Sequence, residues 1–296
     1  MNKKVNIFVV SHKPCDLPHD EVMKPIHVGR SNYVRRKMDD GRCNLSSEDP
    51  MAGMIGDNTG DNISSKNPQY CEMTAHYWIW KNVHDAEYVG LCHYRRYFGI
   101  DITEENISEV MEDADVLMIE PSWYMDSVYS YFAKFMGAEN MTILWMVMKK
   151  LYPEFVETLE SVCEGVKFNP FNMLLCKKEC FDEYAGWMFS ILGECERYVK
   201  PSPYTNGRRA LAYMAELLTG VYFIHRKLRI KTVPYIKVQD GQRMMVKRSA
   251  EEESLLNEYE TMLLGKLSQK VKNDRIEKFE NPAILLGLKN DGIIIE

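Results

Sequence analysis

His93, Tyr94, Arg95, Arg96 and Tyr97 set an imidazole, two phenols and two guanidinium groups directly behind an apolar run at 88–92 (YVGLC). A short apolar run bounded by polar residues predicts a buried strand. In open α/β sheets the carboxyl end of a strand is where ligands sit. Two arginines at that place point to an anion, most simply a phosphate or diphosphate, because the planar guanidinium fork donates two parallel hydrogen bonds. His93, Arg95 and Arg96 are therefore candidate binding residues. The competing reading pairs one arginine with a carboxylate at the edge of the core and uses the histidine as a helix cap.

Two further constellations carry chemistry. Asp57, Asp61, Asn62, Ser64 and Asn67 crowd a stretch of small polar residues. Such groups bind ribose or sugar hydroxyls, or a metal, although Gly60 between Asp57 and Asp61 does not give an EF-hand pattern. The third set is Asn169, Asn172, Arg208, Arg209 and Glu216. A carboxylate in an apolar helix is costly unless paired, so Glu216 is read either as a partner of Arg209 or as a general base for an acceptor hydroxyl. The chain lacks GxGxxG after its first apolar run, and GxxxxGK[ST], GxSxG and HExxH are absent too, which removes the signatures of four common enzyme classes.

Composition narrows the partners. The chain has 296 residues, 45% hydrophobic, with a net charge of −6. That acidic balance argues against general nucleic-acid binding, so the basic groups near Arg95 mark a site rather than a broad footprint. Eight cysteines, Cys15, Cys43, Cys71, Cys92, Cys163, Cys176, Cys180 and Cys195, show no CxxC spacing and read as reduced thiols of a cytoplasmic protein. Cys176 and Cys180 lie one helical turn apart without a second pair, so no zinc site is expected. The run after Met1 is too short for a signal peptide, and no stretch reaches the roughly 18 apolar residues of a membrane span.

Several elements are needed to position these groups. Apolar, β-branched 5–10 predicts a first buried strand, followed by the polar loop Ser11, His12, Lys13, Pro14. Residues 25–29 predict a short extended segment, and 30–65 an irregular one whose stretch 57–64 reads as a ligand-facing loop. Asn67-Pro68 opens a helix with Met73, Tyr77 and Trp80 on its core face. A short acidic helix at 104–113, a buried strand at 115–119 and a late strand at 232–236 follow. Helices are expected at 138–152, 181–198 and 208–223, with Trp187, Phe189 and Leu192 inward, and an Asn-rich turn plus strand at 168–176. Residues 251–279 predict a long amphipathic helix, interrupted at Gly265. Alternating strands and helices make an α/β fold with a mostly parallel central sheet flanked by helices, divided as 1–240 and a helical extension 241–296 packed on it.

The motifs SHKP (11–14), TGDNIS (59–64), KNPQYCEMTAHYWIWKN (66–82) and YVGLCHYRRYF (88–98), with the looser NMLLCKKECFDEYAGWMFSIL (172–192), resemble the DUF4422 family of capsular polysaccharide and O-antigen glycosyltransferases. The resemblance covers about the first 230 residues; Ala75-His76 departs from it, a difference read as superficial. It implies a GT-A-like fold and transfer of a sugar from a UDP-sugar, UDP-galactofuranose or UDP-galactose, to a lipid-linked saccharide acceptor at the inner face of the membrane. By position it places Ser11 and His12 at the nucleotide, Asp61, Asn62 and Asn67 on the donor side, and His93, Arg95 and Arg96 at the diphosphate; Asp57, Asn172 and Arg208 join the donor-binding set, with Glu216 and Asp61 as catalytic carboxylates. Many nucleotide-sugar transferases hold a metal with an Asp-x-Asp triad after the equivalent strand, whereas here Asp113-Ala-Asp115 precedes its strand. Arginine in that role implies metal-independent transfer, with manganese or magnesium as the alternative. The rival function is a non-catalytic phosphate- or glycan-binding module.

Overall fold

The computed structural model describes residues 4–39, 49–124 and 126–295, with the backbone alone for 264–278; Cys43 lies outside them. The strands run β1 (Val5–Ser11), β2 (Met23–His27), β3 (Ile55–Gly56), β4 (Tyr88–His93), β5 (Arg96–Phe98) and β6 (Val116–Ile119). They continue with β7 (Ser122–Trp123), β8 (Lys167–Phe168), β9 (Leu174–Lys177), β10 (Ile230–Val233), β11 (Tyr235–Gln239) and β12 (Gln242–Val246). The chain forms two compact units: Met1–Glu120 with Phe171–Trp187 and Leu228–Lys247, and Pro121–Pro170 with Met188–Lys227 and Arg248–Glu296. The single boundary expected at 240 falls inside the first unit, in the turn between β11 and β12.

In the first unit the sheet order is β10-β6-β9-β4-β1-β2-β3. β1 is parallel to β2 and β4, β2 to β3, and β10 to β6. β9 runs antiparallel to both of its neighbours, so this central path is mostly parallel with one reversed strand, while β5, β11 and β12 join the sheet beside β4 as antiparallel pairs. Every residue of β1 is buried, as expected for a central strand covered on both faces. Ser11, His27 and His93 end β1, β2 and β4 at one edge of the sheet, because Ser11 pairs with His27 and Val10 with His93.

Several expectations change. The segment after residue 30 contains a helix, Arg30–Asp39, none of whose residues is buried; with no apolar stripe, periodicity had nothing to register. The helix at Asn67 ends after Tyr70, where Cys71 takes φ 48°, and a second helix spans Met73–Asn82. Its buried residues are Met73, Thr74, Ala75, His76 and Ile79, while Tyr77 and Trp80 are half-buried. His76 is fully buried, so its departure from the family pattern is a core feature and not a superficial one. Only Ile107–Val110 of the acidic helix forms, and Thr103 and Asn106 cap its start by each accepting from the other's backbone N–H. The late strand splits at Pro234 into β10 and β11, and β11 turns back into β12 through Asp240 (φ 51°) and Gly241 (φ 77°).

The second unit is mainly helical. Val128–Met136, Ala138–Leu151, Val156–Glu164 and Ala210–His225 bury Phe132, Leu144, Leu159, Tyr222 and Phe223. The last of these follows a separate turn at Thr205–Arg208. Ala250–Phe279 is one helix that passes Gly265 without interruption. The helix expected at 181–198 spans Lys178–Glu196, with Trp187 and Leu192 buried and Phe189 half-buried. Among the described residues no helix is long and apolar enough to cross a membrane.

Candidate functional site

The parallel edge of the first unit carries a cavity of 310 Å³, lined by His12, His27, Val28, Gly29, Asn32, Tyr33, Arg35, Arg36, Asn67 and Pro68. That volume lies at the lower end of small-molecule sites. The turn from β2 into the helix Arg30–Asp39 builds it. Gly29 sits there with φ +69°, and a Cβ on it would come within 2.7 Å of Asn67 Oδ1. Only glycine accepts both the left-handed backbone and that approach. Asn67 in turn donates from Nδ2 to the Cys71 carbonyl (2.8 Å), which fixes its side chain against the turn.

Asp57 holds this turn from behind. Its carboxylate is fully buried and accepts from Gly29 N (2.8 Å), Arg30 N (3.1 Å), Ser64 Oγ (2.5 Å) and Thr74 Oγ1 (2.7 Å). Ser31 N donates to Ser64 Oγ (3.0 Å). A carboxylate placed against the first N–H groups of a helix satisfies them and complements the dipole. Asp57 therefore positions the cavity wall and is not itself on its lining.

The rest of the 57–64 loop is held by its own local contacts, although Thr59, Gly60 and Asp61 are exposed. Asn62 donates to Gly60 O (2.9 Å) and accepts from Ser64 N (3.2 Å). Asp61 accepts from Tyr77 Oη (3.2 Å), and Trp78 Nε1 donates to Thr59 Oγ1 (2.9 Å). Neither Asp61 nor Asn62 lines the cavity. Ser11 is likewise fully buried, its hydroxyl donating to Lys13 O (2.7 Å) to shape the loop after β1.

At the end of β4 the two arginines part company. Tyr94 and Arg95 form the turn into β5, with His93 paired to Arg96, and successive side chains of extended backbone point to opposite faces. Arg95 is exposed, its guanidinium 4.8 Å from the Tyr94 ring centroid. Arg96 lies instead over Phe171, 3.9 Å from that centroid. The paired fork expected of adjacent arginines is thus two separate cations. Tyr94 is the hub of a cationic cluster: His12 meets it edge-on at 5.6 Å and Lys13 Nζ lies 5.3 Å from its centroid. His12 belongs both to the cavity wall and to this cationic cluster, which makes the two continuous.

His93 donates from Nε2 to the Phe171 carbonyl (2.6 Å), and Asn172, 1% exposed, donates to Glu72 Oε1 (2.8 Å). Both grip a turn at Phe171 (φ 74°) and Asn172 (φ 52°), so they are structural clamps of the β9 entry. Asp113 and Asp115 pair with Lys231 and Arg229, each at 2.9 Å. Among the described residues no group of three or more His, Cys, Asp or Glu side chains is arranged to hold a metal.

Glu216 and Arg208 belong to the second unit. Arg208 is exposed and donates to the Pro203 carbonyl (2.9 Å). Glu216 is half-buried; burial first, and then its charge, raises the Tyr131 phenol above the ordinary range.

The residues that sequence reading missed are His27, Tyr33, Arg35 and Arg36. A signal existed for the arginines: a glycine just past a short strand, followed by Arg30 and then the basic run Arg35-Arg36-Lys37, marks a strand-to-helix turn carrying cations.

The family described as a domain of unknown function, DUF4422, matches residues 6–227. The chain belongs to it. No curated protein matches the chain. Among solved structures, this DUF4422 chain is similar to the apo structure of WbbM, a bifunctional glycosyltransferase, with a TM-score of 0.70 and 28% identity. The likeness covers 82% of this chain and 46% of WbbM, so this chain spans about half the length of that protein.

Proposed function

We propose that the chain is a glycosyltransferase whose first unit binds a nucleotide-sugar. The observation that carries this reading is the continuity of the cavity with the His12–Tyr94–Arg95–Lys13 cluster at the parallel edge. A nucleoside fills the cavity, and the diphosphate extends across His12 towards Lys13 and Arg95. As the bond from the anomeric carbon to the diphosphate breaks, negative charge accumulates on the leaving group, and fixed cations there lower the barrier. Similarity to WbbM supports the reaction class.

The finer reading follows the family resemblance: a UDP-hexose donor, a saccharide acceptor of capsular or O-antigen type carried on lipid, and work at the cytoplasmic face of the membrane. Transfer is metal-independent in this reading because the cations take the metal's part. Glu216 is the carboxylate assigned to deprotonate the acceptor hydroxyl, and Glu216→Gln should abolish turnover while donor affinity stays unchanged.

The test is thermal stabilisation by UDP-, GDP- and dTDP-sugars with and without EDTA, since a ligand bound only by the folded state raises the melting temperature. A UDP-sugar that stabilises equally in EDTA supports the assignment. A requirement for manganese overturns metal independence. No stabilisation by any nucleotide leaves the non-catalytic binding module as the better reading.

A further inference from the structure

His27 is the one polar side chain of the cavity lining that is buried, at 1% exposed, and its Nδ1 has no hydrogen-bond partner. A buried polar atom left unpaired is destabilising by about 1–3 kcal/mol, so its persistence in a cavity wall needs a reason. The ring is held in place nonetheless. Tyr33 meets it edge-on at 4.8 Å, and Tyr33 is itself anchored through its hydroxyl to the Asp49 carboxylate (3.0 Å), which also takes Lys37 Nζ (2.5 Å) and Met51 N (2.9 Å). Gly29 and Asn67 form the adjoining wall.

The cavity is therefore polarised. Its rim carries the exposed Arg35 and Arg36, and its depth carries two aromatic rings and an amide. Burial, reinforced by the nearby Arg30 guanidinium and opposed by Asp49, holds the His27 ring down at about 4, so it is neutral at physiological pH. A neutral imidazole offers one donor and one acceptor and does not compete for phosphate. A volume of 310 Å³ has room for a nucleobase with its ribose.

We propose that His27 is the base-reading residue of the donor site, its uncommitted ring nitrogen hydrogen-bonding the polar edge of a pyrimidine seated against Tyr33 and the Gly29–Asn67 wall. The inference rests on the nucleotide-donor reading above and names the residue that gives that site its base contact. Arg35 and Arg36 at the rim share the anionic end of the same ligand with the Lys13–Arg95 cluster beyond His12.

Calorimetric titration of the full chain with uridine, UDP, GDP and inorganic diphosphate tests it, using His27→Phe, His27→Asn and the double variant Arg35→Ala/Arg36→Ala. In His27→Phe, uridine and UDP should weaken together by about tenfold or more, the loss expected for one ligand hydrogen bond in a dry site, while diphosphate binding is unchanged. The melting temperature of unliganded His27→Phe should equal or exceed that of the parent, because an unpaired polar atom is replaced by carbon of similar shape. His27→Asn, which keeps a donor and an acceptor, should recover part of the uridine affinity. The arginine variant should show the reverse pattern, losing diphosphate and UDP but sparing uridine, and GDP should bind the parent more weakly than UDP. Uridine and UDP binding to His27→Phe as they bind the parent overturns the inference while leaving the donor site standing, as does a His27→Phe chain that melts well below the parent. A parent chain that binds none of the four overturns the donor-site reading and this inference with it.

Discussion

His27 and His76 occupy two regions of the first unit that look alike by burial and differ in what lies beside them. Both rings are buried, both leave Nδ1 unpaired, and burial holds both at about 4. His76 donates from Nε2 to the Asn172 carbonyl (3.2 Å) and packs against Phe181 and Tyr184 at 5.7 and 6.2 Å, with Glu72 close enough to oppose the burial. His27 has a cavity on one side instead. A buried histidine bonded and ringed by aromatics is a structural element. The same residue beside a polarised void has a nitrogen to give to a ligand.

The comparison breaks most decisively at His76. His76→Ala should destabilise the chain by about 4 kcal/mol, through lost ring contacts and the clamp on Asn172, while the remaining folded protein binds uridine as before; chemical denaturation and calorimetry measure the two. A His76 variant that weakens uridine as His27→Phe does would erase the distinction. Asp57→Ala should affect both stability and binding, with a loss of about 3 kcal/mol because four donors lose a buried carboxylate, and with weaker uridine binding because the turn seating His27 loosens.

Acid should act on the two regions together. Both pKa values are depressed from 6.5 to about 4, so between those values the unfolded chain binds more protons than the folded one. Stability is then fully present above pH 6.5 and lost as pH falls towards 4, with each histidine contributing about 1.4 kcal/mol per pH unit across the window. His27→Phe should remove one such share from the slope measured by urea denaturation at a series of pH values. The smallest effect is expected outside both regions. Arg95→Ala should leave stability unchanged and weaken UDP about fivefold, with the deficit fading at high salt as for any exposed cation.

Much of this frame was legible in the sequence. Runs such as VNIFVVS, YVGLC and DVLMI reported strands buried on both faces, and the His93–Arg96 cluster lies at the same sheet end as His27, although none of its residues lines the cavity. The helix Arg30–Asp39 was illegible because none of its residues enters the core. The β11–β12 hairpin was different: Asp240-Gly241 is a strong two-residue turn signal, present but unread among flanking residues that are mostly exposed. The loop 57–64 misled for a physical reason, since small polar residues that bind a ligand and those that satisfy a helix start have the same composition. What decides between them is direction, which Asp57 shows only in three dimensions. His27 was hidden in a short strand containing Pro25, where a lone imidazole carries no pattern at all.

Gly29 sets a limit on how such a site can change over time. With 2.7 Å between its phantom Cβ and Asn67 Oδ1, the two positions are mechanically one, and any side chain at 29 has to be answered by a shorter residue at 67. New ligand preferences are therefore reached by varying the helix Arg30–Asp39, whose outer face is bound by no core contact, while the hinge it springs from stays fixed. The permissive half of the pocket and its frozen half meet at a single absent methyl group.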